Sequence, residues 1–308
     1  MKCGKVSQTV LRRSVLKEIK PEMEKNAEML SSINAATAVY DRIGRYAFFK
    51  AVNDLAAKGA AVEAVQALLL FPADTEEEKI RRAAAEFGAL CRQYGIRPVG
   101  GHTEISSAVT RPVIAVAASG RAADPSYPAK AKAGDSLILT KSIALEGTAI
   151  LAHIKEKELK EYFPSFLVDR AKQFDESLSL LEEAGIAIAA GVHAMQDLSQ
   201  GGIFGALWEF AEASDIGMEI DLKRIPIRQE TVEICDYLDV NPYELISGGS
   251  LLIAAPDGEE LLLRLKEKNI SAAIIGRVTK EKGRKLHNDG EVRYLDRAKT
   301  DEIFRIIG

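Results

Sequence analysis

The sequence predicts a two-domain protein in which strands and helices alternate. Three observations carry this. The chain has 308 residues, about twice what one domain usually holds. Apolar runs of strand length alternate with stretches whose apolar residues recur every three or four positions, the periods of strand and helix. Between the halves, residues 119–128 read SGRAADPSYP, small residues and two prolines that suit a linker. The boundary is therefore expected between residues 1–122 and 123–308.

In chain order, residues 8–30 have a helical pattern (Val10, Leu11, Val15, Leu16, Ile19) that Pro21 interrupts. Residues 31–42 are small and polar and read as a loop or short strand. Ile43, Ala47, Ala51 and Leu55 predict a helix over 43–58, stopped by Gly59. Residues 62–71 read as a strand ended by Pro72. Thr75 and Glu78 have the spacing of a capping box. The helix they open would bury Ile80, Ala84, Phe87, Cys91 and Tyr94, and Gly95 would close it. A strand over 96–99 leads into Gly100-Gly101-His102-Thr103-Glu104, and another strand covers 112–118. In the second half, strands are expected at 136–140, 218–222, 251–255 and 272–278. Helices are expected from about 144, over 168–190, after Gly202 with Ile203, Leu207, Phe210 and Ala211 inward, and over 258–268. The charge runs 76–78 and 280–285 read as solvated surface.

Composition narrows the function. Asp plus Glu (45) outnumber Lys plus Arg (41), which argues against a dedicated nucleic-acid binder. No apolar run approaches the roughly 18 residues of a membrane span. The start lacks the apolar core of a secretory signal, so a cytoplasmic protein is expected. Cys3, Cys91 and Cys235 are far apart and unpaired in sequence, which excludes a disulfide framework and a zinc ribbon. His102, His153, His193 and His287 have no zinc-hydrolase spacing.

Four motifs could carry chemistry, and each has a plainer alternative. Asn53-Asp54 lies mid-helix, where both side chains compete with the backbone. Among apolar neighbours a carboxylate needs a cation or donor, so Asp54 is a candidate Mg²⁺ ligand; otherwise it is a solvated residue on the polar stripe. Gly100-Gly101-His102-Thr103-Glu104 follows a strand. Paired glycines let backbone approach a phosphate, and His and Thr add donors, but a turn needing positive φ would look the same. Asp197-Leu198-Ser199-Gln200-Gly201-Gly202 enters a helix, whose free N–H groups favour anions; Asp197 and Ser199 are equally ordinary caps. Glu146 is accounted for as an acid in a first helical turn, and His153 and His193 by core packing.

The order of the motifs is more specific than any one of them. IGRYA (43–47), VNDLAAKGA (52–60), GGHTE (100–104), Gly134-Asp135, LEGTA (145–149), HAMQDLSQGG (193–202) and ISGGSLLI (246–253) together resemble the AIR synthase-related superfamily. That group includes PurM, HypE, selenophosphate synthetase and thiamine-monophosphate kinase. The likeness spans nearly the whole chain and is greatest to HypE-like proteins with a GGHTE motif. It implies an α+β, PurM-like two-domain fold. The N-terminal domain would pair in a homodimer into a shared β-barrel, beside a mixed α/β C-terminal domain. It further implies ATP and Mg²⁺ as cofactors, a small-molecule substrate, hydrogenase maturation-like chemistry, and no nucleic-acid or membrane partner. By position, Asp54, Glu104 and Asp197 would manage Mg²⁺. Asn53, Gly100, Gly101, His102, Thr103, Asp197, Ser199, Gly201 and Gly202 would line the nucleotide.

The chain also departs from the family's pattern. No Gly-Asp-Asp-Ala-type loop precedes Ile43. Asn34 stands about where the family has an aspartate, with Asp41 nearby. The chain ends FRIIG, where HypE carries its carbamoyl group on a cysteine. Two expectations follow: an ATP-dependent enzyme that activates or phosphorylates a small substrate, or a catalytically degenerate nucleotide- or metabolite-binding homodimer with a regulatory or accessory role. A purely structural protein would leave the three polar motifs without a purpose.

Overall fold

The computed structural model describes residues 10, 12–17, 29–37, 42–123, 130–297 and 299–307. The helix expected over 8–30 falls mostly outside them. Within them, Arg12–Leu16 forms one π-helical stretch, and Met29 already begins a strand. Cys3, Asp41 and linker residues 124–128 also lie outside the described residues.

The first sheet contains β1 (Met29–Thr37), β2 (Ala60–Phe71), β3 (Arg97–Ile105) and β4 (Val113–Ala122), in the order β1-β4-β2-β3. Only the β2–β3 pair is parallel. Helices α1 (Ile43–Ala57) and α2 (Glu77–Gln93) cover one face. Side chains alternate across a strand, so Ile114, Val116 and Ala118 are buried under them. The other face carries Ile33, Ala35, Ala115, Ala117, Leu68 and Leu70, brought level by the strand register, and none of these is buried. The sheet is open, with β1 and β3 as its edges.

The second sheet has seven strands in the order β11-β10-β7-β9-β5-β8-β6. They are β5 (Ser136–Thr140), β6 (Ala194–Asp197), β7 (Gly217–Asp221), β8 (Leu251–Ala255), β9 (Ala272–Thr279), β10 (Arg284–Asn288) and β11 (Glu291–Tyr294). Both faces are covered, which is why β5 and β8 are continuous apolar runs. Leu137 and Leu139 pack beneath α7 (Gly202–Ser214), while Ile138 packs with α6 (Leu181–Ala189) and α9 (Gly258–Glu267). Four further helices are α3 (Leu145–Ile154), α4 (Glu156–Tyr162), α5 (Ser165–Lys172) and α8 (Gln229–Tyr237); α10 (Ile303–Ile307) ends the described chain. One core cluster joins α1 to α3 and α5, and another packs Ala56 and Ala57 of α1 with Ile138, Leu251 and Ile253 of the second sheet, so α1 is packed against both domains.

Three expectations need correction. The capping box does not form: Glu76 is the N-cap and its side chain makes no capping hydrogen bond. In α2, Ala83 and Leu90 are buried and Ala84 is exposed, because the true stripe runs Ile80, Ala83, Phe87, Leu90. The helix expected over 168–190 is interrupted by a 3₁₀ turn, Gln173–Ser177, and a non-helical stretch. There the backbone bonds to side chains instead of to itself. Lys141 Nζ donates to the Ser177 and Ser179 carbonyls, at 2.9 and 2.6 Å. Asn53 Nδ2 donates to the Leu178 carbonyl at 2.7 Å, and its Oδ1 accepts from Leu180 N at 3.0 Å.

Candidate functional site at the domain seam

Helix α1 brings one face to the seam. Tyr46, Phe49, Lys50 and Asn53 are spaced three, four and seven residues apart, so they share a helix side. Together with Glu146 from the first turn of α3, Leu178, the β6 exit Asp197-Leu198-Ser199, and Gly248-Gly249, they line a pocket. Its volume, about 10 Å³, is roughly that required by one water.

The loops around the pocket are tied tightly. Ala144, just before α3, has φ of 57°, which is costly for a residue with a Cβ. Its N–H donates to Ser247 Oγ at 2.6 Å, and Ser247 Oγ donates to the Leu245 carbonyl. Leu198 N bonds the Ser250 carbonyl at 2.9 Å. Gly248 leaves room for Glu146: a Cβ there would lie 2.1 Å from Oε2 at the end of that side chain, which would have to shift.

Two buried polar atoms of the pocket-lining residues have no hydrogen-bond partner, Glu146 Oε1 and the Tyr46 hydroxyl. Glu146 is only 2% exposed. Its Oε1 accepts no hydrogen bond, and the nearest cation, Lys50 Nζ, is 3.4 Å away. That is longer than the 2.7–2.9 Å of a charge-assisted bond. The Tyr46 hydroxyl is buried without a hydrogen-bond partner. Burial, then the carboxylates of Asp175 and Glu146, hold its pKa well above the tyrosine range.

A second opening lies behind the stretch that interrupts the helices. Ser177 and Ser179 line a cleft of about 560 Å³, with Lys141, Phe174, Arg228 and Tyr94. Leu178 lines the small pocket, so this stretch is a wall common to both. Lys141 also pairs with buried Glu183 at 2.6 Å; burial pulls its pKa down, against the upward pull of Glu183.

The motif residues meet different fates. Asn53, Asp197 and Ser199 converge on the pocket, although Asn53 spends both polar atoms on backbone groups. Asp54, one residue on, turns about 100° away around the helix. Its carboxylate accepts from Ser32 Oγ, from Asn34 Nδ2 at 3.0 Å and from Lys58 Nζ at 2.9 Å. Gly100, Gly101, His102, Thr103 and Glu104 are not a turn. They continue β3, whose nine residues are all exposed, and His102 Nε2 lies 3.3 Å from Glu104 Oε2. Gly101 is needed for strand packing, since a Cβ would meet the Ala67 carbonyl at 2.4 Å. The anion site expected at Gly201 and Gly202 is occupied from within: Asp301 Oδ2 accepts from Gly201 N at 2.6 Å. Asp301 Oδ1 accepts from Ile246 N and Ile303 N, at 3.2 and 2.9 Å. His153 pairs with Asp175 and His193 with Asp135, at 3.1 and 2.9 Å. Among the described residues, no three His, Cys, Asp or Glu side chains gather as a metal site.

Sequence reasoning missed Tyr46 and Lys50 and read Glu146 as an ordinary helix-start acid. The α1 spacing could have found the first two. Nothing local marks Glu146 as buried.

The N-terminal domain of AIR synthase related proteins matches residues 26–122, and the C-terminal domain matches residues 132–288. A putative hydrogenase expression/formation protein of Methanocaldococcus jannaschii is 30% identical over 245 residues, 78% of this chain and 71% of the relative. A thiamine-monophosphate kinase of Pyrococcus horikoshii is 27% identical, covering 83% of this chain and 75% of that one. A crystal structure of the hydrogenase maturation protein HypE in complex with ATP superposes with a TM-score of 0.74 at 19% identity. That superposition covers 97% of both chains. No helix among the described residues is long and apolar enough to cross a membrane.

Proposed function

Since the chain belongs to the AIR synthase-related family, we propose that it binds ATP at the domain seam and uses it to phosphorylate or activate a small substrate. One observation carries this reading: Asn53, Asp197 and Ser199, remote in sequence, line one pocket with Lys50 and Glu146. A phosphate chain reaching the pocket would meet the Lys50 ammonium and the Ser199 hydroxyl. The 560 Å³ cleft has the size of a small-molecule site and would take the second substrate. The ATP complex of the HypE relative and the kinase relative support the reading. The uncovered face of the first sheet would be closed by a second copy, giving a homodimer.

The three carboxylates that the motifs offer for Mg²⁺ do not fit it as a set. Asp54 is surrounded by donors, Glu104 sits on an exposed strand beside His102, and only Asp197 lines the pocket. This favours the second reading, a nucleotide-binding protein that has lost turnover. Thermal stability with ATP, with and without Mg²⁺, and ADP release in the same samples separate the two. ATP at 100 times its Kd adds about 2.7 kcal/mol. A Mg²⁺-dependent shift with ADP release supports the enzyme. A shift without ADP supports the binder. No shift at millimolar ATP refutes both.

A further inference from the structure

We propose that Lys132 is a nucleophilic lysine that accepts an activated acyl group, with His193 as its general base and Asp135 as the residue that orients the base. Lys132 Nζ lies 2.9 Å from His193 Nε2, and His193 Nδ1 lies 2.9 Å from both carboxylate oxygens of Asp135. A carboxylate only accepts, so Nδ1 carries the imidazole proton and donates it to Asp135. Nε2 is then the lone-pair nitrogen, and the Lys132 ammonium donates to it. A nucleophile within reach of a base that a third group orients is the arrangement of an activated nucleophile. The base is held firmly. Asp135 is 3% exposed; its Oδ2 accepts from Lys132 N at 2.7 Å, and its carbonyl accepts from Val278 N at 2.8 Å. His193 N donates to the Ala254 carbonyl at 2.9 Å. Lys132 itself is exposed, so a small acyl donor can reach Nζ. The cluster sits where β5 and β6 begin, both antiparallel to β8. Strand β6 separates His193 from Asp197 by about 13 Å, so the cluster is apart from the seam pocket and independent of the ATP reading. With acetyl phosphate as donor, one ammonium proton passes to His193 Nε2, and Asp135 stabilises the imidazolium. The freed amine attacks the acyl carbon; the C–N bond forms and the C–O bond to phosphate breaks. The electron pair leaves with phosphate, which takes a second ammonium proton, and His193 returns its proton to water.

The test is acetylation of the whole chain by acetyl phosphate, with the rate at each lysine read by mass spectrometry. The exposed lysines Lys157 and Lys280 are the references. Lys132 is expected to react roughly tenfold faster than either, a small gain for general-base help because Nζ stays open to solvent. In urea the three should react alike. His193→Gln keeps an acceptor beside Lys132 but no base, and should bring Lys132 level with the references while their rates hold. Asp135→Asn should slow Lys132 at least threefold. Circular dichroism shows whether each variant is folded, and if either unfolds the native-against-urea comparison on wild type decides alone. A native Lys132 rate equal to the references, a lead that survives in urea, or a lead unchanged in folded His193→Gln or Asp135→Asn overturns the proposal and leaves the three residues as a structural polar cluster.

Discussion

Asn53→Ala is expected to destabilise the protein before any ligand is added. Asn53 is 3% exposed. Its amide holds two backbone groups of the wall between pocket and cleft, the Leu178 carbonyl and the Leu180 N–H. Neither group has a helical partner there, because the chain is between the 3₁₀ turn and α6. Truncation leaves both without that partner. A buried polar group without its bond costs about 1–3 kcal/mol; for two groups the expected loss is about 3 kcal/mol. At about 2–4 °C per kcal/mol for a chain of this size class, Tm should fall by roughly 6–12 °C. Urea unfolding followed by circular dichroism gives the same quantity as a midpoint shift. Asn53→Asp should also destabilise, because a carboxylate would face the Leu178 carbonyl. A loss below about 1 kcal/mol in Asn53→Ala would refute the reasoning. If ATP affinity fell instead with stability unchanged, Asn53 would be a ligand residue and not a staple.

Burial lifts Asp301 from an ordinary carboxyl value to about 6. A raised folded value means a stability contribution complete below the unfolded pKa and lost as pH rises through about 6. Urea midpoints should therefore fall between pH 4 and 7 by on the order of 3 kcal/mol, and Asp301→Asn should flatten that slope; an unchanged slope would remove Asp301 as its source. Gly248→Ala should push Glu146 aside and cost about 1–3 kcal/mol as an overpacked site, read as a lower Tm; a neutral result would show that the Glu146 carboxylate moves freely. Ile33 is 72% exposed on the uncovered sheet face. If a second copy covers this face as proposed, wild type sediments as a dimer and Ile33→Glu as a monomer; a monomeric wild type would refute the dimer, and a dimer unaltered by Ile33→Glu would place the interface elsewhere. Burial pushes Cys235 up to about 12 and also raises Cys91. A thiol reagent should reach at most one of the three cysteines in native protein and all three in denaturant.

Local signals made much of the fold legible. Helix α1 could be placed from four apolar residues and Gly59, and α7 from Ile203, Leu207, Phe210 and Ala211, all buried as expected. The sheet strands with continuous apolar runs were equally plain. Failures came where bonding partners are distant. The GGHTE segment looked like a turn because paired glycines usually mean one, but pairing with β2 keeps it extended. The long helix over 168–190 broke because Lys141 and Asn53, remote in sequence, take its backbone groups. Strand β6 has only four residues, too few to show a period.

The sequence by itself determined the two-domain α/β alternation, the apolar stripe Ile43, Ala47, Ala51 and Leu55 of α1, and family membership. These rest on periodicity and motif order, which are properties of neighbours along the chain. Tertiary structure alone decided what each polar side chain faces. Asn53 and Asp54 are adjacent in sequence, yet one is bonded in the seam and the other lies against β1 and Lys58. Glu146, an unremarkable acid at a helix start, became the buried carboxylate of the pocket, while Asp301 filled the helix terminus that seemed open to a phosphate. A side chain's charge is written locally, but its burial and partners depend on segments that only folding brings together.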